Sequence, residues 1–114
     1  MPVRGDVYLA KLDPTQGSEQ GGERPVVVMS RDAINQSSPV VIVVPVTDQE
    51  NKKHIYPSQV VLRAGEGGLK IDSVALGEQV RAITKTRLTT RLGHLAPHSI
   101  AAIGGALKAA LDLP

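Results

Sequence analysis

Arg24 is the residue whose setting best suits phosphate chemistry, because it joins a polar loop to an apolar segment. The loop before it carries the carboxylates Glu19 and Glu23 among residues that favour turns, whereas residues 25–29 have the composition of a buried strand. Pro25 restricts its own φ and biases Arg24 toward extended geometry, which holds the guanidinium on a constrained backbone. Such a guanidinium can bind two phosphate oxygens at once. The alternative is a structural arginine that pairs with a loop carboxylate.

Length and residue content restrict the class of protein. A chain of 114 residues is predicted to form one domain over residues 1–114 and to bury a hydrophobic core. It has no cysteine, and its three histidines, His54, His94 and His98, do not have the spacing of metal ligands. We therefore expect neither a metal site nor a cofactor. No apolar run is long enough to span a membrane and no signal-peptide pattern opens the chain, so we predict a cytoplasmic protein.

Charge and aromatic content limit the kind of nucleic-acid contact that the chain could make. The formal net charge of +2 is too mild to indicate nucleic-acid binding by itself. Residues 81–91 carry four cations and no carboxylate, which predicts a local basic face or, alternatively, an ordinary solvated edge. Tyr8 and Tyr56 are the only aromatic residues apart from histidine, so a base-stacking platform is disfavoured. Any RNA contact would depend on cations, backbone groups and hydrogen bonds.

Alternating and β-branched segments predict six short strands, at residues 5–12, 25–30, 39–46, 58–62, 70–75 and 79–84. The third is an almost unbroken apolar run, which is typical of a central strand buried on both faces. Residues 31–36 favour a short helical or turn excursion with Ser30 as its cap. Residues 85–94 are ambiguous, since Thr84 or Thr86 could cap a short helix that Gly93 would end.

The C-terminal segment from Pro97 to Leu113 is the clearest helix, with apolar residues spaced by three or four at Ile100, Ile103, Leu107 and Leu111. Its central Gly104–Gly105 pair indicates close packing against a neighbour or a weak point in the helix. Together the elements predict a mainly β fold, a small antiparallel barrel that is partly open, with the helix packed on it.

Five segments resemble, in order and in spacing, the MazF/PemK family of bacterial toxins. They are residues 4–7 (Arg-Gly-Asp-Val), 13–20 (beginning Asp-Pro-Thr and ending Gly-Ser-Glu-Gln), 22–30 (Gly-Glu-Arg-Pro-Val-Val-Val-Met-Ser), 44–47 (Val-Pro-Val-Thr) and 72–83 (Asp-Ser-Val-Ala-Leu-Gly-Glu-Gln-Val-Arg-Ala-Ile). The resemblance implies an SH3-like barrel of the type shared by MazF, PemK and CcdB, assembled as a homodimer. It also implies a metal-independent, sequence-specific endoribonuclease that cuts single-stranded RNA and is inhibited by a cognate acidic antitoxin.

The resemblance also assigns site residues. Catalysis is attributed to the arginine of the Gly-x-x-Arg-Pro motif, here Arg24, and to a threonine after the third strand, here Thr47. Some members are also assigned a catalytic loop glutamate, here Glu19, which is the candidate general base in this chain. A related branch uses a first-loop histidine and an Arg/Asp pair, but this chain has no histidine in that loop and has Leu76 at the arginine position. The general base therefore stays open. The predicted RNA-binding residues are Gln20, Lys52, Lys53, Gln79 and Arg81.

These residue types fit metal-free cleavage of RNA. Arg24 can stabilise the charge that grows on the phosphorane, while Thr47 can position a phosphate oxygen but is too weak an acid to serve as a base unaided. Because the 2′-hydroxyl is the nucleophile, the products would be a 2′,3′-cyclic phosphate and a 5′-hydroxyl.

Two other classes of protein fit the same fold prediction. One is a non-catalytic toxin that poisons a protein target such as gyrase and needs neither Arg24 nor Thr47. The other is an SH3-like module for proline-rich peptides, which two tyrosines scarcely support because such grooves are aromatic. In either toxin class we expect a protein partner, with dimerisation through the sheet around residues 41–44 or through the C-terminal helix.

Overall fold

The computed structural model describes residues 1–12, 17 and 22–114. Its elements are β1 (Asp6–Lys11), β2 (Glu23–Val28), α1 (Asp32–Ser37), β3 (Val40–Asp48), β4 (Gln59–Leu62), β5 (Ser73–Leu76), β6 (Arg81–Thr84), β7 (Leu88–His94) and α2 (Pro97–Leu111). Short 3₁₀ turns at Gln49–Asn51, Glu66–Gly68, Gly77–Gln79 and Lys85–Arg87 join some of them. The structure is therefore mainly β, with one long helix at the end of the chain.

The strands form an antiparallel sheet in the order β4-β5-β3-β2-β1-β7, and β6 also pairs with β3. β3 is the centre of this arrangement, since its first half pairs with β6 and its last three residues pair with β5. The order has two ends, β4 and β7, so the described strands do not close into a barrel. The prediction of a small, partly open antiparallel barrel is confirmed.

Alternation along the strands produces a hydrophobic cluster on each face of the sheet. In β2, Val27 points into one cluster while Val26 and Val28 point into the other. Ile103 of α2 also belongs to the first cluster. Two other α2 residues, Ile100 and Leu107, pack against this cluster. The helix thus covers one face, as the spacing of its apolar residues predicts.

The buried face of α2 does not extend to the C-terminal end of the helix. Leu111 continues the apolar spacing in the sequence, but its side chain is 57% exposed. A methyl group added at Gly105 would meet no atom within 4 Å, and one at Gly104 would only reach the end of the Arg4 side chain. The glycine pair therefore does not reflect close packing within the described chain.

Residues 88–94 form strand β7 rather than the short helix considered from the sequence. β7 pairs with β1 along its length, with two register shifts. Helical propensity in this segment is weak because it contains two adjacent threonines. Pairing with the open edge of β1 also provides hydrogen-bond partners for its backbone N–H and C=O groups. The 3₁₀ turn Lys85–Arg87 is the helical part of the segment that remains.

Two predicted boundaries also change for physical reasons. Residues 70–72, predicted to begin the fifth strand, form a loop in which Asp72 accepts hydrogen bonds from Ala64 N at its carboxylate and from Gln49 N at its carbonyl. Ser30 does not cap α1, because its hydroxyl lies against the Asn35 side chain and accepts a bond from Ile42 N. Asp72 therefore joins its loop to residues 49 and 64 and does not extend β5. Ser30 joins the end of β2 to β3 and does not cap α1.

Candidate active site

Arg24 and Thr47 lie at the same end of the sheet. Arg24 is the second residue of β2, and Thr47 is the second-last residue of β3. The nearest paired residues of these antiparallel strands are Val26 and Pro45. Arg24 and Thr47 each lie two residues beyond that pair. Because side chains in a strand alternate between the two faces, Arg24 and Thr47 lie on the same face of the sheet as well as at the same end.

A cavity of about 350 Å³ opens at this end, and both Arg24 and Thr47 line it. Its walls are largely apolar, with Leu9, Pro25, Val46, Leu69, Ile71 and Leu92 among the lining residues. A cavity of this size with few polar groups is typical of a small-ligand or substrate site. It therefore offers a partly dry setting in which a cation interacts strongly with phosphate.

Thr47 is held firmly at the cavity wall. It pairs with Val74 of β5, and only 4% of the residue is exposed. Its hydroxyl accepts a hydrogen bond from Asn51 Nδ2 over 3.2 Å. The β-branched side chain is thus fixed by both the sheet and the adjacent turn.

Three polar residues of the cavity were missed by the sequence analysis, namely Asp48, Lys70 and Ser73. Lys70 is exposed and belongs to the loop that precedes β5, so it adds a second cation beside Arg24. Ser73 is buried and donates its hydroxyl hydrogen to the Ile71 carbonyl. Lys70 lies close to the Asp72–Ser73 motif in the sequence. Because residues 70–75 were predicted to form a strand, the loop at residues 70–72 that brings Lys70 to the cavity was not predicted.

Gly68 fixes the path of that loop. Its φ of 77° is in the left-handed region, and a side chain there would collide with the Leu92 carbonyl. Glycine is the residue that adopts this conformation without a penalty. The close approach of the Gly68 and Leu92 backbones therefore sets one wall of the cavity.

The other predicted site residues are not among the described residues that line this cavity. Gln79 lies in the 3₁₀ turn before β6, and Arg81 donates to the Leu12 carbonyl over 3.4 Å. Lys52 lines a neighbouring hollow that shares Asp48 and Ile71 with the cavity, and Lys53 is exposed. Glu19 and Gln20 lie outside the described residues, so their assignments stay predictions.

Most cations of residues 81–91 contact the first strand of the sheet or the residue after it, and the local basic face that they could form stays a prediction. Arg91 forms an ion pair with Asp6 at 3.2 Å, and Arg87 donates to the Lys11 carbonyl over 3.1 Å. With Arg81 on the Leu12 carbonyl, three of the four cations contact β1 or the residue after it. Their first role is to connect the later strands to β1.

Asp6 is the most strongly constrained carboxylate among the described residues. It is 2% exposed and accepts bonds from Val3 N at 3.0 Å, Arg91 Nη2 at 3.2 Å and His94 Nδ1 at 2.8 Å. Burial by itself would raise the pKa of Asp6, but the bonds from Val3, His94 and Arg91, with the arginine charge, lower it below 3.8. This cluster joins β1 to β7, away from the cavity lining.

Among the residues that the structure describes there is neither a cluster of metal-ligating side chains nor a membrane-spanning helix. No three His, Asp or Glu side chains there are grouped as ligands. No helix there is long and apolar enough to cross a membrane. His54, the histidine nearest to the Gln49–Asn51 turn in sequence, packs edge-on against Tyr56 with ring centroids 4.6 Å apart.

Residues 3–111 match a family model described as the PemK-like, MazF-like toxin of type II toxin–antitoxin systems. The chain is similar to an endoribonuclease MazF of Staphylococcus saprophyticus, with 44% identity over 113 residues that cover 99% of this chain and 93% of the relative.

Solved structures resemble the fold over nearly its whole length. A crystal structure of MazF from Deinococcus radiodurans has a TM-score of 0.82 at 28% identity, covering 98% of this chain and 97% of that one. A MazE-MazF structure from the same organism has a TM-score of 0.77 at 28% identity, covering 99% and 97%.

Proposed function

Because the chain belongs to the family of PemK-like, MazF-like toxins of type II toxin–antitoxin systems, we propose that it is a sequence-specific endoribonuclease that cuts single-stranded RNA. The observation that carries the proposal is that Arg24 and Thr47 line one cavity at the end of the sheet. A guanidinium and a buried hydroxyl in a largely apolar cavity match the needs of a phosphodiester whose negative charge grows during reaction.

In the proposed reaction the ribose 2′-oxygen attacks the adjacent phosphorus and the bond to the 5′-oxygen breaks. Arg24 binds non-bridging oxygens and stabilises the phosphorane, while Thr47 fixes the phosphate by donating its hydroxyl hydrogen. The 5′-oxygen takes up a proton as it leaves, giving a 2′,3′-cyclic phosphate and a 5′-hydroxyl. Glu19 is the proposed general base, and no metal ion is required.

RNA on either side of the scissile phosphate is proposed to contact Gln20, Lys52, Lys53, Gln79 and Arg81. Lys52 supports this path, since it lines the hollow next to the cavity. The proposed site of action is the cytoplasm, with residues 1–114 acting as one toxin domain.

The proposed partners are a second copy of this chain and a cognate acidic antitoxin. The MazE-MazF structure similar to this chain supports a protein partner. Exposed apolar side chains, among them Ile42 on β3 and Leu111 on α2, support contacts with other chains. An acidic segment could also occupy the cavity entrance beside Lys70 and so exclude RNA.

The first test is cleavage of a long unstructured RNA by the wild type and by Arg24→Ala, with Arg31→Ala as the control. Arg31 is an exposed arginine outside the cavity lining. We expect discrete fragments with cyclic phosphate ends from the wild type and from Arg31→Ala, in the presence of EDTA. Arg24→Ala should lose on the order of 10²–10³ in rate while its thermal unfolding stays unchanged. Full activity of Arg24→Ala, or intact RNA with the wild type, would contradict the proposal.

Dimerisation is tested by sedimentation velocity at micromolar concentration. We expect twice the monomer mass for the wild type and dissociation for Ile42→Asp, because an aspartate on an apolar interface would be desolvated without a partner. Ile42 is 37% exposed, so a thermal melt of Ile42→Asp accompanies the measurement and should show that the monomer is still folded. A wild type that sediments only as a monomer would refute the dimer, and an unaffected Ile42→Asp would move the interface to α2.

A further inference from the structure

The Thr47 hydroxyl has a hydrogen-bond partner that restricts the directions its own hydrogen can take. Asn51 Nδ2 lies 3.2 Å from Thr47 Oγ1 and is the donor of this bond. A threonine hydroxyl has one hydrogen to donate and two lone pairs that accept. Because Asn51 occupies one lone pair, the bond leaves the hydroxyl hydrogen available for another acceptor.

That hydrogen is available to a ligand in the cavity. Within residues 1–12, 17 and 22–114, no acceptor is bonded to the Thr47 hydroxyl hydrogen, although the residue is nearly fully buried and lines the cavity. A bond donated to an oxygen also polarises it and strengthens the bond that its own hydrogen makes. The arrangement thus prepares Thr47 to donate to an oxygen that enters the cavity.

Asn51 is held where it can do this. It ends the 3₁₀ turn Gln49–Asn51, whose start is capped by Asp48 Oδ1 accepting from Glu50 N over 2.9 Å. Gln49 N in turn donates to the Asp72 carbonyl over 3.0 Å, which joins the turn to the segment before β5. The amide of Asn51 is therefore presented from a turn whose first two residues are anchored by hydrogen bonds.

We propose that Asn51 is a positioning residue for RNA cleavage, which orients the Thr47 hydroxyl so that its hydrogen is donated to a non-bridging oxygen of the scissile phosphate. This inference rests on the proposed function. Asn51 acts through Thr47 and does not itself touch the phosphate. It should therefore affect the chemical step more than the binding of RNA.

The primary test is single-turnover cleavage of a short RNA that spans one mapped cleavage site. Asn51→Ala should lower the rate at saturating protein by about tenfold, since a misplaced hydroxyl loses its alignment with the phosphate. Its affinity for the same RNA with a 2′-deoxy nucleotide at the cleavage position should stay within about twofold of the wild type. Gln36→Ala, which removes an exposed amide on α1 that lines neither the cavity nor the neighbouring hollow, is the control and should cleave at the wild-type rate.

A second variant reverses the direction of the bond without changing the size of the side chain. In Asn51→Asp the carboxylate only accepts, so it captures the Thr47 hydrogen that the phosphate needs. We expect Asn51→Asp to cleave at least as slowly as Asn51→Ala, whereas a bond with a purely structural role would tolerate the isosteric aspartate. Wild-type cleavage rates in Asn51→Asp would overturn the proposal.

A double-mutant cycle with Thr47→Val shows whether Asn51 acts through the hydroxyl. In the Thr47→Val background, Asn51→Ala should cause no further loss, because no hydroxyl remains to be oriented. Equal losses in both backgrounds, or an unchanged rate for Asn51→Ala alone, would overturn the inference while the nuclease function stands. A wild type that cuts no RNA would instead overturn the proposed function, and the Asn51 inference with it.

Discussion

At the scale of single residues, the candidate site combines groups that the sequence reveals to different degrees. Arg24 is detectable because Pro25 and the following apolar run give it a distinctive setting. Thr47 has no such local signal, since a threonine at the end of a β-branched strand is common, and its prediction depends on the family resemblance. Lys70 and Asn51 carry no signal at all, because their importance arises from loops that approach the cavity in three dimensions.

Lys70 gives a prediction about affinity. It is an exposed cation at the cavity, so it should bind an RNA phosphate without contributing much to the chemical step. Lys70→Met should weaken binding of a 2′-deoxy substrate analogue and reduce the slope of log affinity against log salt by about 0.7. Lys108→Met, an exposed lysine on α2, is the control. A salt slope equal to that of the wild type would show that Lys70 contacts no phosphate.

Among the secondary-structure elements, a strand could be predicted from the sequence where its alternating or β-branched residues are sufficient to determine its structure. β3 is identified from its unbroken β-branched run, and both of its faces are apolar because its side chains enter the hydrophobic clusters on the two faces of the sheet. β7 could not be assigned in this way, because Leu88–His94 has a mixed pattern and becomes a strand only by pairing with β1. Tertiary pairing decides such segments, and it leaves little trace in the local sequence.

Gly105 gives a prediction at this scale. It lies within α2 with no atom within 4 Å of an added methyl group, so alanine should fit without a clash. Gly105→Ala should raise the free energy of unfolding by about 1 kcal/mol, because alanine restricts the unfolded chain and favours the helix. Chemical denaturation measures the difference.

The matched comparison is Gly68→Ala, which should be destabilising because its backbone is left-handed and its side chain would meet the Leu92 carbonyl. If Gly105→Ala lowered the stability instead, this face of α2 would have to be covered by another chain.

At the scale of the whole molecule, the Asp6 cluster connects residues far apart in the sequence. Arg91 and His94, which bind Asp6, are 85 and 88 residues away from it along the chain. Because the pKa of Asp6 is lowered in the folded protein, its ionised form stabilises the fold above the unfolded pKa near 3.8. That stabilisation is lost as the pH falls through the lower, folded pKa.

Asp6→Asn should therefore lower the free energy of unfolding at pH 7 by about 1 to 3 kcal/mol, since it leaves buried donors without their carboxylate. The deficit relative to the wild type should begin to shrink below about pH 3.8, where the unfolded wild type takes up a proton on Asp6 while the folded protein still holds this carboxylate ionised. Urea denaturation at neutral and acidic pH measures both values. Glu50→Gln is the control, and a deficit that did not change with pH would show that the charge of Asp6 does not stabilise the fold.

The pairing of β1 with β7 has a consequence for synthesis of the protein on the ribosome. β1 emerges early, but its β7 partner, which also supplies Leu92 to the cavity wall, is translated about 80 residues later. A nascent chain that has not yet exposed β7 lacks one wall of the candidate nuclease cavity. A nuclease that depends on this cavity would then be completed in each nascent chain only after most of the message has been read.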